Sequence, residues 1–130
     1  WFINQATNYA NNRILFNAPI SKNQGIQFPI SKSYAHMKAA ELMVHYAAEK
    51  FDSGINDGES ANIAKLLAAD ASWMAAEACL QTFGGFGFAE EYDVERKYRE
   101  ARLYQVAPIS TNMILSYIAE KILGMPKSYG

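Results

Sequence analysis

The chain has 130 residues, half of them hydrophobic, and a formal net charge of −1 at pH 7. This length fits a single domain over residues 1–130, and the near-zero charge excludes the broad positive surface with which proteins bind nucleic acid or anionic membranes. No apolar run approaches the roughly 20 residues that span a bilayer and no signal peptide is recognisable, so we expect a cytoplasmic or mitochondrial-matrix protein that is not secreted.

The first half of the sequence predicts two helices. Apolar and aromatic residues recur at spacings of three and four from Phe2 to Arg13, and a turn over 17–19 ends this helix. A longer helix is predicted from about residue 21 to 52, with Pro29 as a local kink inside it. Its predicted apolar stripe is Ile26, Ile30, Tyr34, Met37, Leu42, Val44 and Tyr46.

A third helix is predicted from about residue 59 to 83, with Asp57 as its cap. Apolar side chains surround much of it, so we expect it at the centre of the fold. Gly84 and Gly85 follow, and both allow a positive φ and a close approach of the backbone to a ligand. A helix cap and a surface turn explain the same glycines without a ligand.

Two further helices are predicted in the last third of the chain. A charged helix covers about residues 93–103, and residues 105–109 form a loop because Pro108 disfavours helical backbone at the residue before it. Ser110 or Thr111 then caps a last helix. Since no stretch alternates with the period of a strand, we predict an all-α fold, an antiparallel four-helix bundle with one short additional helix.

Few residues carry chemistry on their own. Cys79 is the only cysteine, which excludes a disulfide framework and a thiolate metal site. His36 and His45 are nine residues apart, whereas a metal-binding pair on a helix needs a spacing of three or four. The sequence therefore predicts no bound metal.

Several polar residues have two explanations. Arg13 stands at a helix end, where its guanidinium can balance the helix dipole or hold a phosphate. Asn23 and Gln24 offer amides near a helix N-terminus, where anions and polar ring edges bind. Glu95 and Arg99 form a favourable i, i+4 pair, and a solvated, salt-bridged helix face is the simpler explanation for them.

Three blocks of the sequence together resemble the C-terminal helical domain of acyl-CoA dehydrogenases. The first block extends from Tyr9 to Phe28 and contains Tyr-Ala-Asn-Asn-Arg-Ile-Leu-Phe, Pro-Ile and Asn-Gln-Gly-Ile-Gln-Phe. The second is Gln-Thr-Phe-Gly-Gly-Phe-Gly-Phe over residues 81–88, and the third is Tyr-Asp-Val-Glu-Arg-Lys-Tyr-Arg-Glu-Ala-Arg over residues 92–102. Their order and spacing match the family over essentially the whole chain.

The resemblance implies a flavoenzyme. In this family FAD takes a hydride from the β-carbon of an acyl-CoA after a carboxylate removes the α-proton, and an electron-transfer flavoprotein accepts the electrons. An N-terminal helical domain and a middle β-domain precede the bundle, which builds a homodimer or tetramer and contacts the FAD of a neighbouring subunit.

The resemblance also implies which residues contact FAD, and it implies that Arg13 binds the pyrophosphate. The full set by position is Arg13, Phe16, Asn23, Gln24, Gln81, Thr82, Phe83, Gly84, Gly85, Ser110, Thr111 and Asn112.

Two positions depart from the family pattern. Asn17 replaces a glycine in a turn, and Pro108 stands where many members carry the catalytic glutamate. Because proline cannot remove a proton, we expect the base to lie upstream of Trp1 and the chain by itself to be inactive. Because the glutamate is missing, one alternative function is a non-catalytic helical module that serves only in assembly. A further alternative is a related flavoenzyme that does not act on acyl-CoA.

Overall fold

The structure, a computed structural model, describes residues 1–128. Its helices are α1 (Phe2–Asn12), α2 (Gln24–Asp52), α3 (Gly58–Phe83), α4 (Val94–Val106) and α5 (Thr111–Tyr117), and α5 continues as a π-helical turn over Ile118–Ile122. A small antiparallel hairpin, β1 (Ile14–Leu15) and β2 (Ala18–Pro19), joins α1 to α2. None of the helices within residues 1–128 is long and apolar enough to cross a membrane.

Helix α3 lies at the centre, as predicted, and packs against the other four helices. Its buried surface consists mainly of small residues: Ala64, Ala69, Ala71, Ala75, Ala76, Ala78 and Cys79. Small side chains on several sides let neighbouring helices approach closely, which explains how one helix can contact all the others. The predicted all-α bundle is therefore confirmed.

The core cluster joins three helices. Ala6 of α1, Cys79 and Phe83 of α3 and Val94 of α4 pack together, and each is at most 5% exposed. Burial raises the pKa of the Cys79 thiol to about 12, so this cysteine stays protonated and behaves as a small apolar residue.

Helix α2 buries only part of its predicted apolar stripe. Ile30 packs against the core. Tyr34, Leu42, Val44 and Tyr46 are instead 44–71% exposed, and the buried residues of the helix are Ser33 and Ala40. The reason is the narrow contact with α3, which admits small side chains. The Ser33 hydroxyl donates to the Pro29 carbonyl at 2.8 Å and lies 3.3 Å from the carbonyl oxygen of Met74 on α3.

The secondary structure differs from the prediction in three places: a missed hairpin, the start of α2 and the end of α4. The hairpin was missed because two residues per strand are too short to show alternation. A 3-10 turn over Ile20–Lys22 delays the start of α2 to Gln24, and α4 continues through Val106 into the predicted loop. Ala107 is extended, with φ −135° and ψ 153°, which agrees with the effect expected of Pro108.

Asp57 fixes the connection between α2 and α3, as its predicted role as a cap requires. Its carboxylate accepts hydrogen bonds from the backbone amide of Ser60 at 3.2 Å and the hydroxyl of Ser60 at 2.6 Å. The ammonium of Lys50, in the last turn of α2, pairs with the same carboxylate. The hydrogen bond from Lys50, and then those from Ser60, hold the pKa of Asp57 well below its usual range.

Replacement of Asp57 should make thermal stability less dependent on acid pH. The folded-state pKa of Asp57 is depressed, so its charge stabilises the fold fully above about pH 4, and this contribution is lost as pH falls through the folded-state value. We expect Asp57→Asn to lower the Tm by a few degrees at neutral pH, with the difference from wild type shrinking below about pH 4. Asp52→Asn, at the end of α2, is the matched control and should leave the Tm unchanged. A Tm difference that is the same at every pH would contradict this role.

Candidate functional site

A cleft of about 630 Å³ opens where α1, the hairpin, the start of α2 and the end of α3 meet. It brings together six of the predicted site residues, namely Arg13, Asn23, Thr82, Phe83, Gly84 and Gly85. Its other lining residues are Tyr9, Leu15, Ile20, Ile26 and Phe86, which the sequence did not single out for this site. Residues that are 70 positions apart in the chain therefore share one surface.

Stacked aromatic rings form one wall of the cleft. The rings of Tyr9 and Phe83 lie 4.0 Å apart between centroids at an angle of 20°. Tyr92 meets the edges of both rings, at 6.1 and 5.3 Å, and also contacts Phe86 at 5.7 Å. Such offset and edge contacts hold the rings in place, so this wall is preformed.

Arg13 supplies the positive charge of the cleft. It ends α1, where its backbone amide donates to the Tyr9 carbonyl at 2.8 Å, and its own carbonyl accepts from the amide of Ile20 at 2.9 Å. Its guanidinium carbon lies 5.5 Å from the centre of the Phe86 ring. Within residues 1–128 no carboxylate pairs with this guanidinium, whereas Arg96 and Arg99 on α4 are both paired with acids. The geometry therefore leaves the Arg13 fork available to an anion.

The glycines beside Arg13 leave the floor of the cleft open. Gly84 ends α3 with φ 58°, and a Cβ added to either Gly84 or Gly85 would meet no atom within 4 Å. Gly84 adopts the positive φ that glycine allows, and Gly85, inside the 3-10 turn over Gly84–Phe88, does not. The open space lets a ligand approach the backbone.

Hydrogen bonds within the chain already use two polar side chains of the cleft. The hydroxyl of Thr82 donates to the Ala78 carbonyl at 2.6 Å, and the side-chain amide of Asn23 donates to the Ile20 carbonyl at 3.1 Å. Thr82 therefore offers a ligand only its hydroxyl oxygen as an acceptor, while Asn23 keeps one N–H and its carbonyl oxygen.

The remaining predicted site residues lie outside this cleft. Phe16 is fully exposed at the tip of the hairpin, and Gln24 is exposed on the first turn of α2. Gln81 lines a separate cavity of about 510 Å³ between α2 and α3. Ser110, Thr111 and Asn112 lie at the start of α5, where the Ser110 hydroxyl caps the helix by accepting from the amide of Met113 at 3.3 Å.

The missed lining residues all stand inside the blocks that carry the resemblance. Tyr9 begins the first block of the resemblance, and Phe86 stands inside the glycine-rich run. Leu15 and Ile20 also stand inside the first block, but their positions in the cleft depend on the hairpin and the 3-10 turn, which the sequence did not predict. No group of three or more metal-ligating side chains comes together in the part of the chain that the structure describes.

Comparison with known proteins gives one consistent family. The family model for the acyl-CoA dehydrogenase C-terminal domain matches residues 1–123. The chain is 37% identical over 129 residues to an acyl-CoA dehydrogenase of Mycobacterium tuberculosis, covering 98% of this chain and 33% of that protein. It is 34% identical over 121 residues to a 3-(aryl)acrylate reductase of Clostridium sporogenes, covering 93% and 32%.

The fold agrees with this family. The structure of a glutaryl-coenzyme A dehydrogenase in complex with glutaryl-CoA is similar with a TM-score of 0.91 and 31% sequence identity, covering 99% of this chain and 33% of that one. The chain therefore spans about a third of the length of the proteins that it matches.

Gly87 should be the glycine of this turn that stability requires. A Cβ at Gly87 would lie 2.7 Å from Cδ1 and 3.2 Å from the carbonyl oxygen of Leu80. We expect Gly87→Ala to lower the free energy of unfolding by about 1–3 kcal/mol through overpacking, as measured by urea denaturation. The matched control Gly85→Ala enters open space and should change it by less than about 0.5 kcal/mol. Equal effects of the two substitutions would refute this packing role.

Proposed function

The chain belongs to the acyl-CoA dehydrogenase family, as its C-terminal domain, and we propose that it forms part of the FAD site of such an enzyme. The observation that carries the proposal is the cleft in which the free guanidinium of Arg13 lies beside the open backbone at Gly84 and Gly85. A cation, accessible backbone and aromatic rings are the groups that a flavin nucleotide needs for its pyrophosphate and its rings.

The pyrophosphate of FAD fits this cleft chemically. The fork of Arg13 matches two phosphate oxygens, and no acid within residues 1–128 neutralises it beforehand. Gly84 and Gly85 leave room for a bulky group against the chain. Tyr9 and Phe83 keep that side of the cleft apolar, which strengthens the charge-assisted hydrogen bonds of Arg13 by excluding water.

The role of this chain in the reaction is to bind and orient. In the proposed enzyme FAD supplies the hydride acceptor for the α,β-dehydrogenation of an acyl-CoA thioester, and an electron-transfer flavoprotein receives the electrons. Residues 107–109 contain no carboxylate, so the proton at the α-carbon must be removed by a base outside this loop. The domain by itself is then not a catalyst.

The proposed site residues that lie outside the cleft are explained by FAD sites that two copies of the protein share. Phe16, Gln24, Gln81 and Asn112 are exposed, and Ser110 and Thr111 are half-buried. Neither of the two cavities described above within residues 1–128 contains all six. We therefore assign them to FAD contacts made when copies of the protein assemble as a dimer or tetramer, so that one domain contacts more than one cofactor.

A second candidate function is that of a flavoenzyme with a different substrate. The relative from Clostridium sporogenes is named for a reductase of 3-(aryl)acrylate, and this favours a flavoenzyme that does not act on an acyl-CoA thioester. Anaerobic mixing of the FAD-loaded protein with acyl-CoA thioesters and with the corresponding free acids separates the two. Bleaching of the flavin by a thioester supports the dehydrogenase, and no response to any thioester contradicts it.

Arg13→Ala should weaken FAD binding by the complete gene product. Loss of a charge-assisted contact costs about 1.5–3 kcal/mol, or roughly a ten- to hundredfold weaker Kd, and Arg13→Lys should keep part of the binding because an ammonium lacks the fork. Flavin absorbance after dialysis and titration of the apoprotein measure the effect.

The matched control for Arg13 is Arg99→Ala on α4. The Arg99 side chain is 69% exposed and paired with Glu95, away from the cleft, so its removal should leave the flavin content unchanged. Full retention of flavin by Arg13→Ala would rule out the phosphate contact.

A further inference from the structure

The ring of Phe86 lines the cleft and lies under the guanidinium of Arg13. The guanidinium carbon is 5.5 Å from the centre of the ring. Phe86 is 45% exposed, so burial in the core does not explain its place. An aromatic face attracts a cation and limits the positions that the cation takes. The contact therefore restricts a long side chain that is otherwise exposed at the end of α1.

Phe86 is itself held in place by the chain. Its ring meets the ring of Tyr92 at 5.7 Å between centroids and an angle of 61°. Its backbone carbonyl accepts a hydrogen bond from the amide of Ala89 at 3.1 Å. The next residue, Gly87, is buried and packs against Leu80. The ring is thus in position before any ligand binds.

The contact of Arg13 differs from other cation–ring contacts in this protein. Two other cations within residues 1–128 lie over rings, and both also bind a polar side chain. They are Lys50, which lies over Tyr46 and pairs with Asp57, and Arg102, which lies over Trp73 and donates to Gln105. No acid within residues 1–128 pairs with Arg13. A ring, unlike a carboxylate, neither neutralises the charge nor occupies the N–H donors that phosphate oxygens need.

We infer that Phe86 is a positioning residue, which holds the guanidinium of Arg13 where the pyrophosphate of FAD binds. A free arginine side chain samples several rotamers, and a ligand that binds one of them must restrict the others at a cost in entropy. Because the ring of Phe86 has already restricted the side chain, less affinity is lost when the phosphate binds. This inference deepens the proposed function and rests on it.

A double-mutant cycle on the complete gene product tests this role. Phe86→Leu removes the ring and keeps an apolar side chain. Titration of the apoprotein should then give a Kd for FAD that is about two- to fivefold higher, as loss of an exposed cation–π contact implies. Phe86→Tyr keeps an aromatic face and should bind FAD within about twofold of wild type. In an Arg13→Met background the ring has no cation to hold, so Phe86→Leu should change the Kd by less than about 1.5-fold.

The matched control is Phe88→Leu. Phe88 belongs to the same turn, is 72% exposed and does not line the cleft, so this variant should bind FAD like wild type. Circular dichroism melts check that each variant folds at the temperature of the titration. If Phe86→Leu does not fold there, Phe86→Met, which also lacks a ring, takes its place in the cycle.

The outcomes separate the positioning role from the flavin proposal. Wild-type affinity in Phe86→Leu overturns the positioning role. An equal loss of affinity in both backgrounds also overturns it, because the ring then contacts FAD directly. Both results leave the phosphate contact of Arg13 intact. Wild-type affinity in Arg13→Met instead contradicts that phosphate contact, on which both proposals rest.

Discussion

Close packing around α3 is the constraint on which the rest of the structure depends. Its alanines let α1, α2 and α4 lie against it at short range. Those helices also bury small residues, namely Ala6, Ser33 and Ala101, each at most 2% exposed. Dispersion energy falls steeply with small gaps, so a core of small side chains is stable only if the helices stay this close. The end of α3, and with it the turn at Gly84, is therefore held in one position relative to α1.

The same constraint explains why large apolar groups lie on the outside. A narrow interhelical contact has no room for them, and Phe16, Phe28, Leu42 and Phe51 are each more than 60% exposed. A free bundle of this size would keep such surface in water at an unfavourable free energy. Exposed apolar groups of this size are typical of interaction surfaces.

The candidate site combines an arginine that lacks an acid partner with open backbone. Along α4, Arg96 is paired with Asp93 and Glu100, and Arg99 with Glu95, so these two guanidinium groups are neutralised locally. No acid within residues 1–128 pairs with Arg13, and its guanidinium lies over the ring of Phe86. An unpaired cation next to open backbone is a stronger indication of anion binding than any count of charges.

The sequence by itself determined the helices, their central member, the caps at Asp57 and Ser110 and the family. Those properties follow from local periodicity, capping chemistry and short linked motifs, which do not require knowledge of distant contacts. It also marked Arg13 and Gly84 as separate candidates for ligand binding, each with a structural explanation beside it, and the resemblance assigned both to one cofactor. Tertiary structure alone decided that Tyr9, Leu15 and Phe86 join them in one cleft, and that α2 turns Ser33 inward and Leu42 outward. Both outcomes depend on how closely two helices approach, and that distance is set by all the side chains between them together rather than by any one segment.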